Sequence, residues 1–263
     1  MIETLFTITE KTVALAFDYW PSPVATREQL AQVQLVAHRG NVRGMTENQL
    51  AGFQQCAQAG IGSIEFDIRW TMDNIPIVLH DATTLRTYKT DLSPHQHTAQ
   101  QLQQLLPELP TLKQVVEQVG SCCHFFVECK EELTLEREAI LLETLKPLEP
   151  EKDFHVLSLD PQLLGQCQKT PKRALVLVSQ LNARSVSNFV LEHKWGGVAG
   201  HFLLQNDAMI KAHHQAGQKV GVGFMSSFNN LCRQIHRQAD WFFSDQAIEL
   251  QQSLRRHLDH SPG

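Results

Sequence analysis

The chain has 263 residues, enough for one large barrel or sheet domain or for two small ones. Hydrophobic residues make up 42% and charged residues 19%, which supplies a core and excludes a disordered chain. A formal net charge of −5 gives a nucleic-acid partner no electrostatic support.

The first residues, "MIETLFTITEKTVALAFDYW", lack a basic leading region, and Glu3, Glu10 and Lys11 interrupt the apolar positions. That is not the pattern of a secretory signal. No stretch approaches the roughly 20 apolar residues of a membrane span. The expectation is a soluble, cytoplasmic protein without a stable membrane span. Residues 1–32 read as an N-terminal extension whose "WPSPVATREQLAQ" forms a turn and then a helix.

From residue 33 onward, short apolar runs alternate with amphipathic stretches. Strands are predicted at 33–37, 61–68, 75–79, 124–129, 154–159, 174–178, 196–200, 219–224 and 241–243. Their apolar runs are continuous rather than alternating, as in parallel strands buried on both faces. Between them, 47–60, 111–120, 133–146, 206–217 and 247–258 read as helices. Gly60, Gly120 and Gly217 stand where left-handed C-terminal caps belong, and Asn206 or Asp207 where an N-terminal cap belongs.

Repeated strand–helix units over this length define an α/β architecture, and a (β/α)8 TIM barrel needs about this many residues. Nine strand candidates are one too many, so one lies outside the barrel or is not a strand. The stretch from Asp67 to Ile75 is too short for a parallel crossover, which needs a dozen or more residues. The barrel is therefore expected to be irregular between its second and third strands. Residues 82–110 form a short polar insertion with one helix, "TAQQLQQLL", and 33–263 read as a single domain. A doubly wound open sheet is the structural alternative, and no glycine-rich nucleotide turn supports it.

The six cysteines (Cys56, Cys122, Cys123, Cys129, Cys167, Cys232) form no C-x-x-C pair. They read as reduced structural thiols rather than a zinc site.

Chemistry gathers at the strand ends. Glu65 and Asp67 are two apart in one strand, so both side chains project to one face while Phe66 faces the other. Glu128 and Lys130 repeat that spacing in "FFVECK". His38 ends "QLVAHRG", and His80 ends "IPIVLHD". The carboxyl ends of strands are where barrel enzymes build their sites. Three converging carboxylates need a counter-charge, and oxygen ligands suit magnesium, calcium or manganese. Pairing of each acid with Arg39, Arg69 or Lys130 is the plainer alternative.

"AHRGNVRGMTENQLAGF", "IEFDIRWTMDNIPIVLHD" and "FFVECK" together resemble the glycerophosphodiester phosphodiesterases. The family pattern is His-Arg-Gly, Pro-Glu-Asn-Thr, Glu-x-Asp, Pro-x-(apolar)-His-Asp and Glu-x-Lys, in that order. Weaker likeness continues through "LSLDP" and "ADWFFSD". The resemblance implies a TIM barrel and a hydrolase that depends on a divalent cation, Mg2+ or Ca2+ first and Mn2+ third. It further implies Glu65, Asp67 and Glu128 as metal ligands and His38 and His80 as the acid/base pair. Arg39 and Lys130 would hold the phosphate, with Glu47 and Asn48 hydrogen-bonding behind them. The partner implied is a small phosphodiester that yields sn-glycerol 3-phosphate and an alcohol; the first nucleophile is water or a glycerol hydroxyl. Lysophospholipid or phospholipid head-group cleavage, phospholipase D-like, is the alternative on the same machinery. A non-catalytic binding barrel is a third.

Four departures from the family pattern stand out. Thr46-Glu47-Asn48-Gln49 replaces Pro-Glu-Asn-Thr, with Thr46 as a helix cap. The insertion after His80-Asp81 is shortened. Gly223-Phe224-Met225-Ser226 stands where Trp-Thr-Val-Asn is usual, and "SDQA" where Thr-Asp-x-Pro is usual. Outside the pattern, His95, His97 and His213-His214 read as surface residues, Trp195 and Trp241 as packing, and His201 as a strand-end residue for which a place in the pocket is the less favoured reading.

Overall fold

A computed structural model describes residue 17 and residues 19–260. Most of the expected 1–32 extension lies outside the described residues. Its helix is observed at Arg27–Ala31, capped by Thr26.

All nine predicted strands form. They are β1 (Gln34–Ala37), β2 (Ser63–Trp70), β3 (Pro76–Val78), β4 (His124–Cys129), β5 (Phe154–Ser158), β6 (Leu175–Ser179), β7 (Gly197–His201), β8 (Lys219–Gly223) and β9 (Trp241–Ser244). Eight of them run parallel in the order β1, β9, β8, β7, β6, β5, β4, β2, and β2 pairs back to β1. That pairing closes a TIM barrel with helices between the strands. The ninth strand, β3, is antiparallel to β2, with Ile68 opposite Val78 and Trp70 opposite Pro76. The gap after Asp67 is short because a hairpin fills it, not a crossover.

Two layers of apolar packing hold the barrel. Inside, Val36, Phe126, Leu157, Val176, Ala199, Trp241 and Phe243 form one cluster. Outside, Phe53, Phe66, Phe125 and many aliphatic residues pack strands against helices. Burying one such large side chain is worth about 1.5–3 kcal/mol. Trp195 and Trp241 both belong to packing, as their context suggests.

Helices appear at 50–58, 112–119, 135–144, 207–215 and 247–260, close to expectation. Asn206 caps its helix by accepting a hydrogen bond from the Met209 amide. Gly60 and Gly217 have positive φ, but Gly120 stays right-handed at φ −62°. The helices Ala183–His193 and Phe228–His236 bury polar residues beside their apolar ones, Ser187 in the first and Asn230 and Gln234 in the second, and were not among the predicted elements. His213 is a correction: it is buried rather than on the surface, bonded to Ser187 Oγ (2.8 Å) and Gln218 Oε1 (2.7 Å). Helical periodicity places it one turn after Ile210, on the packed face.

The cysteines are all free, and Cys122 alone among them is exposed. No helix among the described residues is long and apolar enough to cross a membrane.

His155 lies inside the barrel beside Phe126 and Trp241, with Nδ1 2.9 Å from His124 Nε2. Burial, with His124 and Lys219 nearby, pushes its pKa down to about 3. The unfolded chain therefore binds a proton at this residue below its ordinary value of 6.5, and the folded chain does not. This contribution is complete above pH 6.5 and is lost as pH falls toward 3, at about 1.4 kcal/mol per pH unit. Denaturant midpoints measured between pH 6.5 and 4 are expected to fall more steeply for the native chain than for His155→Asn. Parallel curves would refute this.

Candidate active site

The H-R-G turn follows β1 directly. His38–Gly40 is a single 3-10 turn in which Arg39 (φ 54°) and Gly40 (φ 57°) are left-handed. A non-glycine residue in that region costs of order 1–3 kcal/mol and persists only where its surroundings enforce it. Here the Arg39 amide donates to Glu65 Oε2 (2.9 Å), and the Arg39 carbonyl accepts from the Asn48 amide (2.9 Å). Gly40 is required by contact as well, since a side chain there would run into the Phe53 ring.

Residues 46–49 form a turn rather than the start of a helix. The helix begins at Leu50 with Gln49 as its cap, which corrects the role expected of Thr46. The turn has its own task. Asn48, itself left-handed, donates from Nδ2 to Asp67 Oδ2 (2.9 Å) and accepts from the Asp67 amide (3.3 Å).

Glu65 and Asp67 point into the barrel from β2. On neighbouring β4, Glu128 sits in register with Asp67. All three carboxylates are buried, at 2%, 1% and 8% exposure. One oxygen from each lies within 4.8 Å of the others. Two oxygens across a magnesium or calcium ion stand about 4–5 Å apart, twice an ordinary bond length. Oε1 of Glu65 is buried without a hydrogen-bond partner. An oxygen-only, acid-rich cluster with one uncommitted buried oxygen fits a hard divalent cation.

The surrounding charges partly offset the acids. Lys130 Nζ lies 2.9 Å from Asp67 Oδ1 and also contacts Glu128. Arg39 Nε is 3.5 Å from Asp67 Oδ2. Burial favours the neutral form of Asp67, but Lys130 and Arg39 outweigh it and hold the pKa below the usual range. Burial and the neighbouring Asp67 push Glu65 up to about 8, and burial raises Glu128 as well.

The hairpin explains how His80 arrives. β2 continues past the barrel rim to Trp70, and β3 descends from there until the Leu79 amide bonds the Asp67 carbonyl (3.0 Å). His80 is the next residue, so it enters at the level of the acids. Its Nδ1 lies 2.7 Å from Asp81 Oδ1. Across the pocket His38 Nδ1 lies 2.7 Å from Asp245 Oδ1, while Nε2 is 3.8 Å from Glu65 Oε2. Burial disfavours the charged ring of His38, but Asp245 and Glu65 reverse this and raise its pKa to about 9. Burial lowers that of His80.

Of these groups His38, Arg39, Glu65, His80, Glu128, Lys130 and Asp245 line one cavity of about 620 Å³ at the carboxyl ends of the barrel strands. The rest of its lining is largely apolar, with Leu157, Val178, Leu181, Leu204, Phe224 and Phe243 beside Ser179, Gln180 and Ser244. His201 also lines it, its ring stacked on Phe224 at 5.2 Å. Sequence reasoning singled out neither Asp81 nor Asp245. Both signals were present: each acid follows a strand end that faces the pocket. His95, expected to be solvated, is half exposed and meets Glu131 at 3.3 Å.

Fold and site together define a TIM barrel that gathers three buried acids, two histidines and two basic side chains at the carboxyl ends of its strands. Residues 38–222 match the model of the glycerophosphoryl diester phosphodiesterase family, more than half of the chain. The chain belongs to that family. Glycerophosphodiester phosphodiesterase 1 of Bos taurus is 34% identical over 87 residues, 32% of this chain but only 26% of the bovine protein. A glycerophosphodiester phosphodiesterase from Thermotoga maritima superposes with TM-score 0.70 at 20% identity, covering 84% of this chain and 98% of that one. A phosphodiesterase from Oleispira antarctica, in complex with the product sn-glycerol-3-phosphate, gives 0.72 at 21% identity, covering 86% and 98%. At these identities the structural likeness concerns the fold.

Proposed function

We propose that the chain hydrolyses glycerophosphodiesters to sn-glycerol 3-phosphate and an alcohol, with a divalent cation held by Glu65, Asp67 and Glu128. The observation that carries this reading is the buried acid triad, with ligand atoms within 4.8 Å, flanked by His38, His80, Arg39 and Lys130. Family membership and the product bound to the Oleispira antarctica enzyme support it.

Local charge agrees: the three buried carboxylates outnumber the two cations that touch them, Arg39 and Lys130. When bound, the divalent cation neutralises charge that builds on the non-bridging phosphate oxygens. Arg39 presents a planar fork to two of those oxygens, and Lys130 a point charge. One imidazole takes the proton of the attacking hydroxyl as its oxygen bonds to phosphorus. The other gives a proton to the alkoxide as the phosphorus–oxygen bond to the alcohol breaks. Each transfer is worth about 10²–10⁴-fold. Asp81 and Asp245 hold the two rings from their Nδ1 sides. Glu47 and Asn48 hold Arg39 and Asp67. The domain is taken as 33–263, with 82–110 as its reduced insertion.

The apolar wall favours a second substrate class on the same machinery. Leu181 and Phe224 are 62% and 54% exposed at the cavity mouth, a surface suited to an acyl chain. A lysophospholipid would lay its chain there and lose its head group.

A substrate panel separates these readings: glycerophosphocholine, glycerophosphoethanolamine, glycerophosphoglycerol and a lysophosphatidylcholine, each with Mg2+, Ca2+, Mn2+ or chelator. Release of sn-glycerol 3-phosphate that chelator abolishes is expected. Faster turnover of the lysolipid would install the second reading. Ligand binding without turnover under every metal would leave a non-catalytic barrel.

A further inference from the structure

We propose that Arg86, contributed by the insertion, is a positioning residue that sets both His80 and Arg39 through one guanidinium. The inference rests on the phosphodiesterase reading above.

Arg86 lies on the short helix Leu85–Tyr88, which opens the insertion. Its Nε is 2.5 Å from Asp81 Oδ2, and its Nη2 is 3.2 Å from Asp81 Oδ1. That is a two-point grip on a carboxylate, the geometry a guanidinium provides and an ammonium cannot. The gripped carboxylate is the one whose Oδ1 stands 2.7 Å from His80 Nδ1. With Asp81 fixed as an acceptor, His80 carries its proton on Nδ1 and turns Nε2 toward the pocket.

The same Nη2 also donates to Glu47 Oε1 (2.6 Å). Glu47 Oε1 in turn accepts from Arg39 Nη1 (3.0 Å). Arg39 is the proposed phosphate cation, and its Nε faces Asp67. One side chain therefore ends two relays, one to an imidazole and one to a guanidinium, on different walls of the cavity.

The loop that carries Arg86 does not depend on it for shape. Thr84 is fully buried and holds the segment by itself. Its amide donates to the Leu92 carbonyl (3.0 Å), its hydroxyl to the Thr90 carbonyl (2.5 Å), and its carbonyl accepts from the Tyr88 amide (2.8 Å). Tyr88 and Leu92 pack on Ile77, Leu79, Leu102, Leu106 and Leu109. The Arg86 side chain is half exposed, so its removal opens a gap that solvent reaches rather than a void in the core.

The test compares the native chain with Arg86→Ala and Arg86→Lys, with glycerophosphocholine and Mg2+. Arg86→Ala is expected to lose about 10–100-fold in kcat/KM, with kcat lowered through His80 and KM raised through Arg39. Guanidinium ion at tens of millimolar, well below denaturing concentration (roughly molar for small domains), is expected to restore much of that rate to Arg86→Ala. It should leave the native chain unaffected. Arg86→Lys should recover one parameter more than the other, because an ammonium serves one relay at a time. Nitrogen NMR of the metal-free protein supplies a readout apart from activity: His80 is expected to be the Nδ1–H tautomer in the native chain and a mixture in Arg86→Ala. Unchanged kcat, KM and His80 signals in Arg86→Ala overturn the inference while the phosphodiesterase reading stands. Kinetic losses that track a lowered melting temperature and resist guanidinium also overturn it. A native chain that turns over no glycerophosphodiester overturns the functional reading, and this inference with it.

Discussion

His38→Ala and His80→Ala are each expected to lose about 10²–10⁴-fold in kcat while binding a divalent cation nearly as well as the native chain. The argument is geometric. Both rings border the cavity, one on the turn after β1 and one below the β2–β3 hairpin. The candidate ligand set is complete without them, since it consists of three carboxylates. Removing an imidazole therefore takes away a proton carrier and leaves the oxygen cage. Steady-state kinetics with glycerophosphocholine, beside calorimetric titration with Mn2+, checks both halves. A near-normal rate for His80→Ala would refute the acid/base assignment.

Glu65→Gln should show the opposite pattern: loss of both cation binding and turnover, in a metal-free protein more stable than the native one above pH 8. In the native chain Glu65 is buried against Asp67, and its Oε1 has no hydrogen-bond partner. The amide of glutamine keeps an oxygen for the Arg39 amide and turns a donor toward the neighbouring carboxylates. Above pH 8, where the native Glu65 is ionised, repulsion becomes hydrogen bonding, and at any pH the cage loses a ligand that can carry charge. A cation at a hundred times its Kd stabilises the native chain by about 2.7 kcal/mol. For a domain of this size each kcal/mol moves the melting temperature by about 2–4 °C. Melting curves with Mg2+ and with chelator should therefore separate for the native chain and coincide for Glu65→Gln. Equal separation in both would refute the ligand assignment.

Much of this architecture was legible because parallel barrel strands announce themselves as unbroken apolar runs. "HFFVEC" could be placed to the residue and the strand that carries Glu65 and Asp67 to within two, and their alternate acids then shared a face. The hairpin was half legible. The spacing from Asp67 to Ile75 forbade a crossover, but nothing local said that β2 overhangs the rim and sends β3 back down. The helices at 183–193 and 228–236 escaped notice because their buried positions include polar residues: Ser187, which meets His213 of another helix, and Asn230 and Gln234, which bond each other. His213 escaped for the same reason. Asp245 pairs with His38 across 207 residues of chain, a contact set by barrel closure and not by any local pattern. Arg86 was visible as part of the insertion, yet its two relays depend on where the hairpin puts Asp81 and where the turn after β1 puts Glu47.

Everything rests on a cation at the barrel mouth between β2 and β4. Diffraction from crystals soaked in Mn2+, recorded for anomalous scattering, locates such an ion without reference to activity. A single strong peak within bonding distance, about 2.0–2.6 Å, of Glu65, Asp67 and Glu128 is the result this account predicts. A cavity without a peak, or a peak bound elsewhere while these three carboxylates keep to Lys130 and Arg39 alone, would contradict it.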